Sequence, residues 1–477
     1  MVSPISTEKQ SNQLKLKHSS VRIDGKAYKM SKGIFQVLTN RDDIKSNYIH
    51  LPVRIIHSSS KSQKDPVFWL AGGPGVSNMK QMPAGVLLKN HDFVLVGYRG
   101  VDGSVKLQSK TIKKAVTGIN NSLLSEESLI NLQNSTVKNI LELRKAKIDL
   151  NFYTIIDVID DFEDLRKRLG YDKINLLSAS YGTRVALLYS YRYPKAIKRS
   201  VMAGVNPPGQ FVWWPDKTEQ IINQYDAILR RDYPAYNGIS IKESIEESFV
   251  KMPFRWTFFR LDPGKIKAAS FVMMYRKKSA VMVFDAYKKA ATKGDFSGLY
   301  LMQLAYDFMV PRMFTWGDLF NKGASADSDP NTSYKELLIP PKNSIGAPLS
   351  LLIWGGGEKW PSVTLAPEYR KPRHSLTETL MIGGNLDIST PPEYAAKLLL
   401  PHMPNAIQII LEDMAHVDDL MYLQKDNFDA LISGFFSKGI ADTTEYQKDP
   451  VEFKTTISFA GIAKVFYPVV FILSLFK

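Results

Sequence analysis

Ser180 stands in the run Ser178-Ala179-Ser180-Tyr181-Gly182, with an apolar stretch before it (residues 174–177) and a helical one after it through Val185, Leu188 and Tyr189. A serine on a sharp strand-to-helix turn offers its hydroxyl to a substrate. That turn needs small residues two before and two after, where larger side chains would clash. Ser178 and Gly182 meet the need, although glycine is more usual at the first place. A hydroxyl of ordinary acidity needs a base before it can attack a carbonyl, and the base needs an acid to fix its tautomer. Of seven histidines, only His374, His402 and His416 follow Ser180. His374 precedes a strand, at the wrong end of a parallel sheet for chemistry. His402 lies between Pro401 and Met403 at a helix end. His416 follows the strand expected at Ala406–Leu411, in a loop suited to presenting a base. Asp387 likewise follows a strand, in the loop 383–390. The interval 416 − 387 = 29 residues leaves room for one helix and one strand. Ser180 as nucleophile, Asp387 as acid and His416 as base is therefore the expected set.

A second constellation, Ala71-Gly72-Gly73-Pro74-Gly75, directly follows a short strand at 67–70. Glycines let the backbone approach a substrate and turn N–H groups toward developing negative charge. Pro74 has no N–H, so Gly73 and Tyr181, the residue after the nucleophile, are the expected oxyanion-hole donors.

These residues need a scaffold that brings distant loops to one edge. Apolar or alternating runs at 33–38, 49–56, 66–70, 93–97, 174–177, 200–203, 377–382 and 406–411 read as strands. Helical patterns fall at 155–169, closed by Gly170, and at 392–400. From about 210 to 373 the texture turns to amphipathic helical stretches rich in aromatics and methionines, with one strand-like run at 349–354. The simplest account is a mainly helical block inserted into a strand–helix–strand framework.

The GGPG loop, the turn Tyr98–Ser104 (YRGVDGS), the stretch from Tyr153 through SASYG, and the loop GGNLDISTPP followed by His416 together resemble the α/β-hydrolases of the prolyl iminopeptidase and tripeptidyl aminopeptidase group. The resemblance spans roughly residues 33–208 and 375–423 and leaves the inserted block largely unmatched. It implies an α/β fold, the α/β-hydrolase fold, with a mostly parallel central sheet flanked by helices and an inserted, mainly helical cap. The corresponding division is an N-terminal extension (1–32), a first core part (33–209), the cap (210–374), a second core part (375–436), a linker (437–456) and a hydrophobic tail (457–477). It also implies a serine peptidase that releases N-terminal residues from peptide substrates through an acyl-enzyme on Ser180, with no metal and no cofactor. The family often has histidine where Ala71 stands and glycine where Ser178 stands, which leaves the substrate open. A carboxylic-ester hydrolase with the same triad is one alternative, because this fold hosts many acyl transfers. A non-catalytic, membrane-linked binding protein is another. Glu243, Glu246, Glu247 and Asp307 are candidates to hold a substrate amine, and Phe211, Trp213 and Trp214 to line the pocket.

Composition removes other classes. The 477-residue chain has no cysteine, which excludes disulfides, thiol catalysis and Cys-ligated metal. Its net charge of +15 is spread along the chain without a nucleic-acid-binding module, so no nucleic acid is expected. The N-terminal residues include lysines but no apolar stretch, so no secretory signal is expected in the sequence as given. Residues 457–476 are almost wholly apolar and near the length that spans a bilayer, but they contain Lys464 and Pro468. Membrane association through this tail is an expectation.

Overall fold

Wholly apolar short runs form strands covered on both faces, and alternating runs form strands nearer the edge of a sheet. The computed structural model describes residues 13–60, 64–118, 122–327, 329, 332–341, 343–361 and 363–474. Its strands are β1 (Leu14–Ile23), β2 (Lys26–Leu38), β3 (Tyr48–Ile56), β4 (Lys64–Leu70), β5 (His91–Val96), β6 (Ile174–Ala179), β7 (Ile197–Ala203), β8 (Arg255–Trp256), β9 (Phe259–Arg260), β10 (Glu378–Gly384) and β11 (Ala406–Leu411). Nine make one sheet in the order β1-β2-β3-β5-β4-β6-β7-β10-β11, and β8 and β9 form a separate hairpin. The first four strands in that order pair antiparallel. From β5 through β4, β6, β7 and β10 to β11 all pairings are parallel. Every residue of β5 and β6 is buried. Residues 14–23, which the sequence reading placed before the core, pair with β2 along their whole length; residues 1–12 of that extension lie outside the described residues.

The helix Ile155–Arg168 begins at a capping box between Thr154 and Asp157, and buries Val158, Ile159, Phe162 and Leu165 along one stripe. It packs beside the helix Tyr181–Arg192. Two of the motifs meet here. Arg99, fully buried, donates to both oxygens of Asp161 at 2.6 Å and to the Phe152 carbonyl at 2.7 Å. A buried guanidinium is tolerable only when paired and hydrogen-bonded in this way.

The helical layer draws on two stretches of chain. Helices Ile241–Lys251, Pro263–Met273, Lys277–Lys293 and Ser297–Met313 come from the inserted block. Lys110–Ala115 and Glu126–Lys145 join them from before Ser180: Tyr306 donates to the Val116 carbonyl at 2.7 Å, and Gln133 to the Gly355 carbonyl at 2.9 Å. The strand-like run 349–354 is helical, continuing from Pro348–Ser350 into Leu351–Gly355. Its apolar run is buried from every side, and length and composition alone do not separate such a run from a strand.

The tail forms two short helices, Phe459–Val465 and Tyr467–Ser474. The first docks on the Ser297–Met313 helix through Ala460 and Ala463, and Lys464 pairs with Asp295 at 2.6 Å. Among the described residues no helix is long and apolar enough to cross a membrane; residues 475–477 lie outside them.

Candidate active site

Parallel strands deliver their following loops to one edge of the sheet, and here three such loops converge. Strand β6 ends at Ala179, and the chain turns at Ser180, whose φ of 50° and ψ of −123° lie where side-chain-bearing residues rarely sit. The turn is held by the Ser180 N–H donating to the Ala203 carbonyl at 2.8 Å. A Cβ on Gly182 would lie 2.1 Å from the Leu70 carbonyl oxygen, so glycine is required there. At the other small position the Ser178 hydroxyl donates to the Val201 carbonyl at 3.0 Å, which explains why serine can replace glycine without an unsatisfied group.

The loop after β10 brings Asp387 and the loop after β11 brings His416. His416 Nε2 lies 3.0 Å from Ser180 Oγ, and His416 Nδ1 lies 2.7 Å from Asp387 Oδ2. Asp387 is fully buried and accepts from the Ser389 and Thr390 N–H groups, both at 2.8 Å, and from the Thr390 hydroxyl at 2.7 Å. Such a carboxylate is fixed in place and ready to accept from Nδ1. The arrangement can pass a proton from the serine hydroxyl to the imidazole while the carboxylate stabilises the resulting cation.

Gly73 and Tyr181 line the same cavity as Ser180. The Tyr181 N–H opens the helix Tyr181–Arg192, where the first N–H groups have no partner within the helix. Gly73 has φ of 77°, which favours glycine. Its neighbour Gly72 lies close against Ser180, since a Cβ there would lie 2.8 Å from Ser180 Cβ. Asn78 braces the loop from below, accepting from the Ala71 N–H at 2.7 Å and donating to the Trp69 and Val96 carbonyls. Asp102, from the YRGVDGS turn, accepts from the Asn78 and Tyr98 N–H groups. From the inserted block, Asp318 accepts from the Gly75 N–H at 3.0 Å and is neutralised by buried Lys322. Burial pushes the Asp318 carboxyl up despite that partner.

The cavity holds about 340 Å³. Its walls are mainly apolar and aromatic: Trp69, Phe211, Trp213, Tyr275, Phe314 and Met421. Phe211 and Trp213 were among the sequence candidates; Trp214 is not part of the wall. Tyr275 was missed, although its ring stands 4.9 Å from that of His416 and its carbonyl accepts the His416 N–H at 3.1 Å. Gly204 was missed too: a Cβ there would lie 3.0 Å from both His416 Cε1 and Thr390 Oγ1. Neither residue belongs to a local pattern. Of the acidic candidates, Glu243 caps its own helix, Glu247 pairs with Lys251, and Asp307 pairs with Lys265 at 2.7 Å. None of the four lines the cavity; among the described residues its one acidic lining residue is Asp418, whose carboxylate pairs with Arg276 at 2.6 Å.

A mixed sheet with its parallel strands delivering serine, aspartate and histidine loops to one edge, under a helical layer, defines the α/β-hydrolase class. The chain belongs to the alpha/beta hydrolase fold family, whose sequence pattern matches residues 65–418. Over 163 residues it is 24% identical to the Escherichia coli (strain K12) protein named "Putative hydrolase YuaR", a match that spans 33% of this chain and 31% of that protein. Among solved structures, proline iminopeptidase from Mycobacterium smegmatis is similar at 13% identity and a TM-score of 0.39, covering 85% of this chain and 97% of the other. A thermophilic esterase from Thermogutta terrifontis is similar at 14% identity and a TM-score of 0.37, covering 84% and 98%.

Proposed function

We propose that this protein is a serine hydrolase that cleaves a carbonyl substrate through an acyl-enzyme on Ser180, and that its substrates are peptides from which it releases N-terminal residues. The observation that carries the first part is the continuous hydrogen-bonded line Ser180–His416–Asp387, at 3.0 and 2.7 Å. In the first step Ser180 Oγ bonds to the carbonyl carbon as its proton passes to His416 Nε2. The oxyanion then faces the N–H groups of Gly73 and Tyr181. His416 returns the proton to the leaving amine as the bond breaks, and a water activated by the same imidazole later hydrolyses the ester to Ser180. The peptide preference is supported by the GGPG, YRGVDGS and GGNLDISTPP motifs taken together.

A specific observation favours a second reading, a carboxylic-ester hydrolase. An aminopeptidase must hold a substrate ammonium, and a desolvated cation is costly without a carboxylate partner. The carboxylate on the cavity wall, Asp418, is already engaged by Arg276. An uncharged apolar acyl group fits these walls without that cost. The two readings separate on kcat/KM for aminoacyl arylamides and their N-acetylated forms against short-chain acyl esters of a phenol. A peptidase of free N-termini prefers the unblocked arylamide over the blocked one. An ester hydrolase shows no gain from a free amine and turns over the acyl esters best.

A further inference from the structure

The hairpin of β8 and β9 and the two terminal helices lie far apart in sequence but form one surface. Tyr467, which opens the second terminal helix, sets its ring 5.8 Å from that of Trp256 and 6.2 Å from that of Phe259, and its hydroxyl lies 3.4 Å from Thr257 Oγ1. Phe259 in turn stacks on Tyr300 at 4.6 Å, which fixes the hairpin to the helical layer. What this aromatic seam leaves outside is apolar. Phe254 and Phe258 on the hairpin are 66% and 75% exposed, and Val465, Phe466, Val469 and Ile472, which flank the Tyr467 contact on the tail, are exposed as well. Soluble surfaces carry such residues singly, and a contiguous group of them marks an interaction face.

Charge indicates what covers it. Residues 250–260 and 457–472 contain Lys251, Arg255, Arg260 and Lys464 and no aspartate or glutamate. Among the described residues, Glu247 pairs with Lys251 and Asp295 with Lys464 from neighbouring elements. Arg255 and Arg260 both stack on the ring of Phe254, at 5.6 and 5.4 Å, so cationic heads stand at the rim of the apolar group. Exposed aromatic and aliphatic side chains with cations beside them match the boundary between acyl chains and anionic headgroups. Among the described residues the tail has no helix long enough to cross that layer. Its helix Tyr467–Ser474 has 8 residues, about 12 Å of rise, against a hydrocarbon core of about 30 Å.

We propose that the β8–β9 hairpin and the terminal helices form a monotopic attachment face for an anionic phospholipid surface, with Phe254, Phe258 and the outer side chains of the tail entering the headgroup layer. The test is co-sedimentation of the full chain with vesicles of phosphatidylcholine alone and with about a third phosphatidylglycerol, at low and raised salt. The wild type should bind the anionic vesicles and lose binding as salt rises. The double variant Phe254→Ser/Phe258→Ser should bind at least about tenfold more weakly, since two large apolar side chains no longer enter the layer. It should hydrolyse a soluble substrate at the wild-type rate, because neither residue touches the cavity. A wild type that binds neither vesicle overturns the proposal, as does a double variant that binds as well as the wild type. So does a wild type that self-associates in sedimentation velocity through this face without binding vesicles, which would make a second copy of the chain the occupant.

Discussion

The loops around Ser180 and the outer face made by the hairpin and the tail are built on opposite terms. Around Ser180 the packing is tight: Gly72 and Gly182 leave no room for a methyl group, Gly204 leaves little, and both carboxylate oxygens of Asp387 are engaged. On the outer face the side chains of Phe258 and Val465 stand largely in the open. The first region acts through placement, where an ångström matters to rate. The second can act only through composition, where area and charge matter and exact placement does not. Substitutions should therefore affect turnover in the first and leave it untouched in the second.

The largest effect should come from Ser180→Ala. It removes the bond-forming atom and should lower kcat by roughly a million-fold while leaving the thermal unfolding curve in place. His416→Ala should cost about as much, because the two groups act as a unit. Asp387→Asn should lower kcat by roughly ten-thousand-fold by holding the imidazole in the wrong tautomer. Gly72→Ala sharpens the comparison, since it changes no chemical group. Its methyl would displace Ser180 and should lower kcat by at least about a hundred-fold with a smaller change in KM.

Asp327 offers a milder test, of stability rather than rate. It receives Arg184 at 2.9 and 3.1 Å and the N–H groups of Gly209 and Phe211, tying the helix after Ser180 to the start of the inserted block. Burial alone would raise this carboxyl; Arg184 and the two N–H donors outweigh it, and the net shift is downward. A depressed carboxyl contributes stability that is complete above its unfolded value and is lost as pH falls through the folded one. Asp327→Asn should thus destabilise the protein by about 3 kcal/mol at neutral pH, by leaving a buried guanidinium unpaired. The deficit relative to wild type should shrink in acid, as denaturant titrations at several pH values would show. The smallest effect belongs to Phe254→Ser/Phe258→Ser, expected to leave kcat and KM for a soluble substrate unchanged.

The same contrast governs what the sequence could reveal. The framework of strands and the loops that end in Ser180, Asp387 and His416 were legible because each is encoded locally: a buried apolar run, a turn of small residues, then a helix or a polar loop. Even the departure at Ser178 was readable as small, although only the structure shows its hydroxyl bonded to Val201. Tyr275 and Gly204 were not legible, because they reach His416 across the fold and no spacing announces them. The helical run 349–354 misled because a wholly buried helix and a buried strand carry the same apolar signature. That Lys110–Ala115 and Glu126–Lys145 join the helical layer was likewise hidden, since the contacts of Val116 with Tyr306 and of Gln133 with Gly355 cross nearly two hundred residues of chain or more.

The central claim is that Ser180 is a nucleophile activated by His416, and fluorophosphonate labelling of the full chain followed by mass mapping of the labelled peptide tests it most directly. The predicted result is a single adduct on Ser180, absent in Ser180→Ala and strongly slowed in His416→Ala although that variant keeps the serine. An adduct on another serine, or labelling of Ser180 at the same rate with His416 removed, would contradict it.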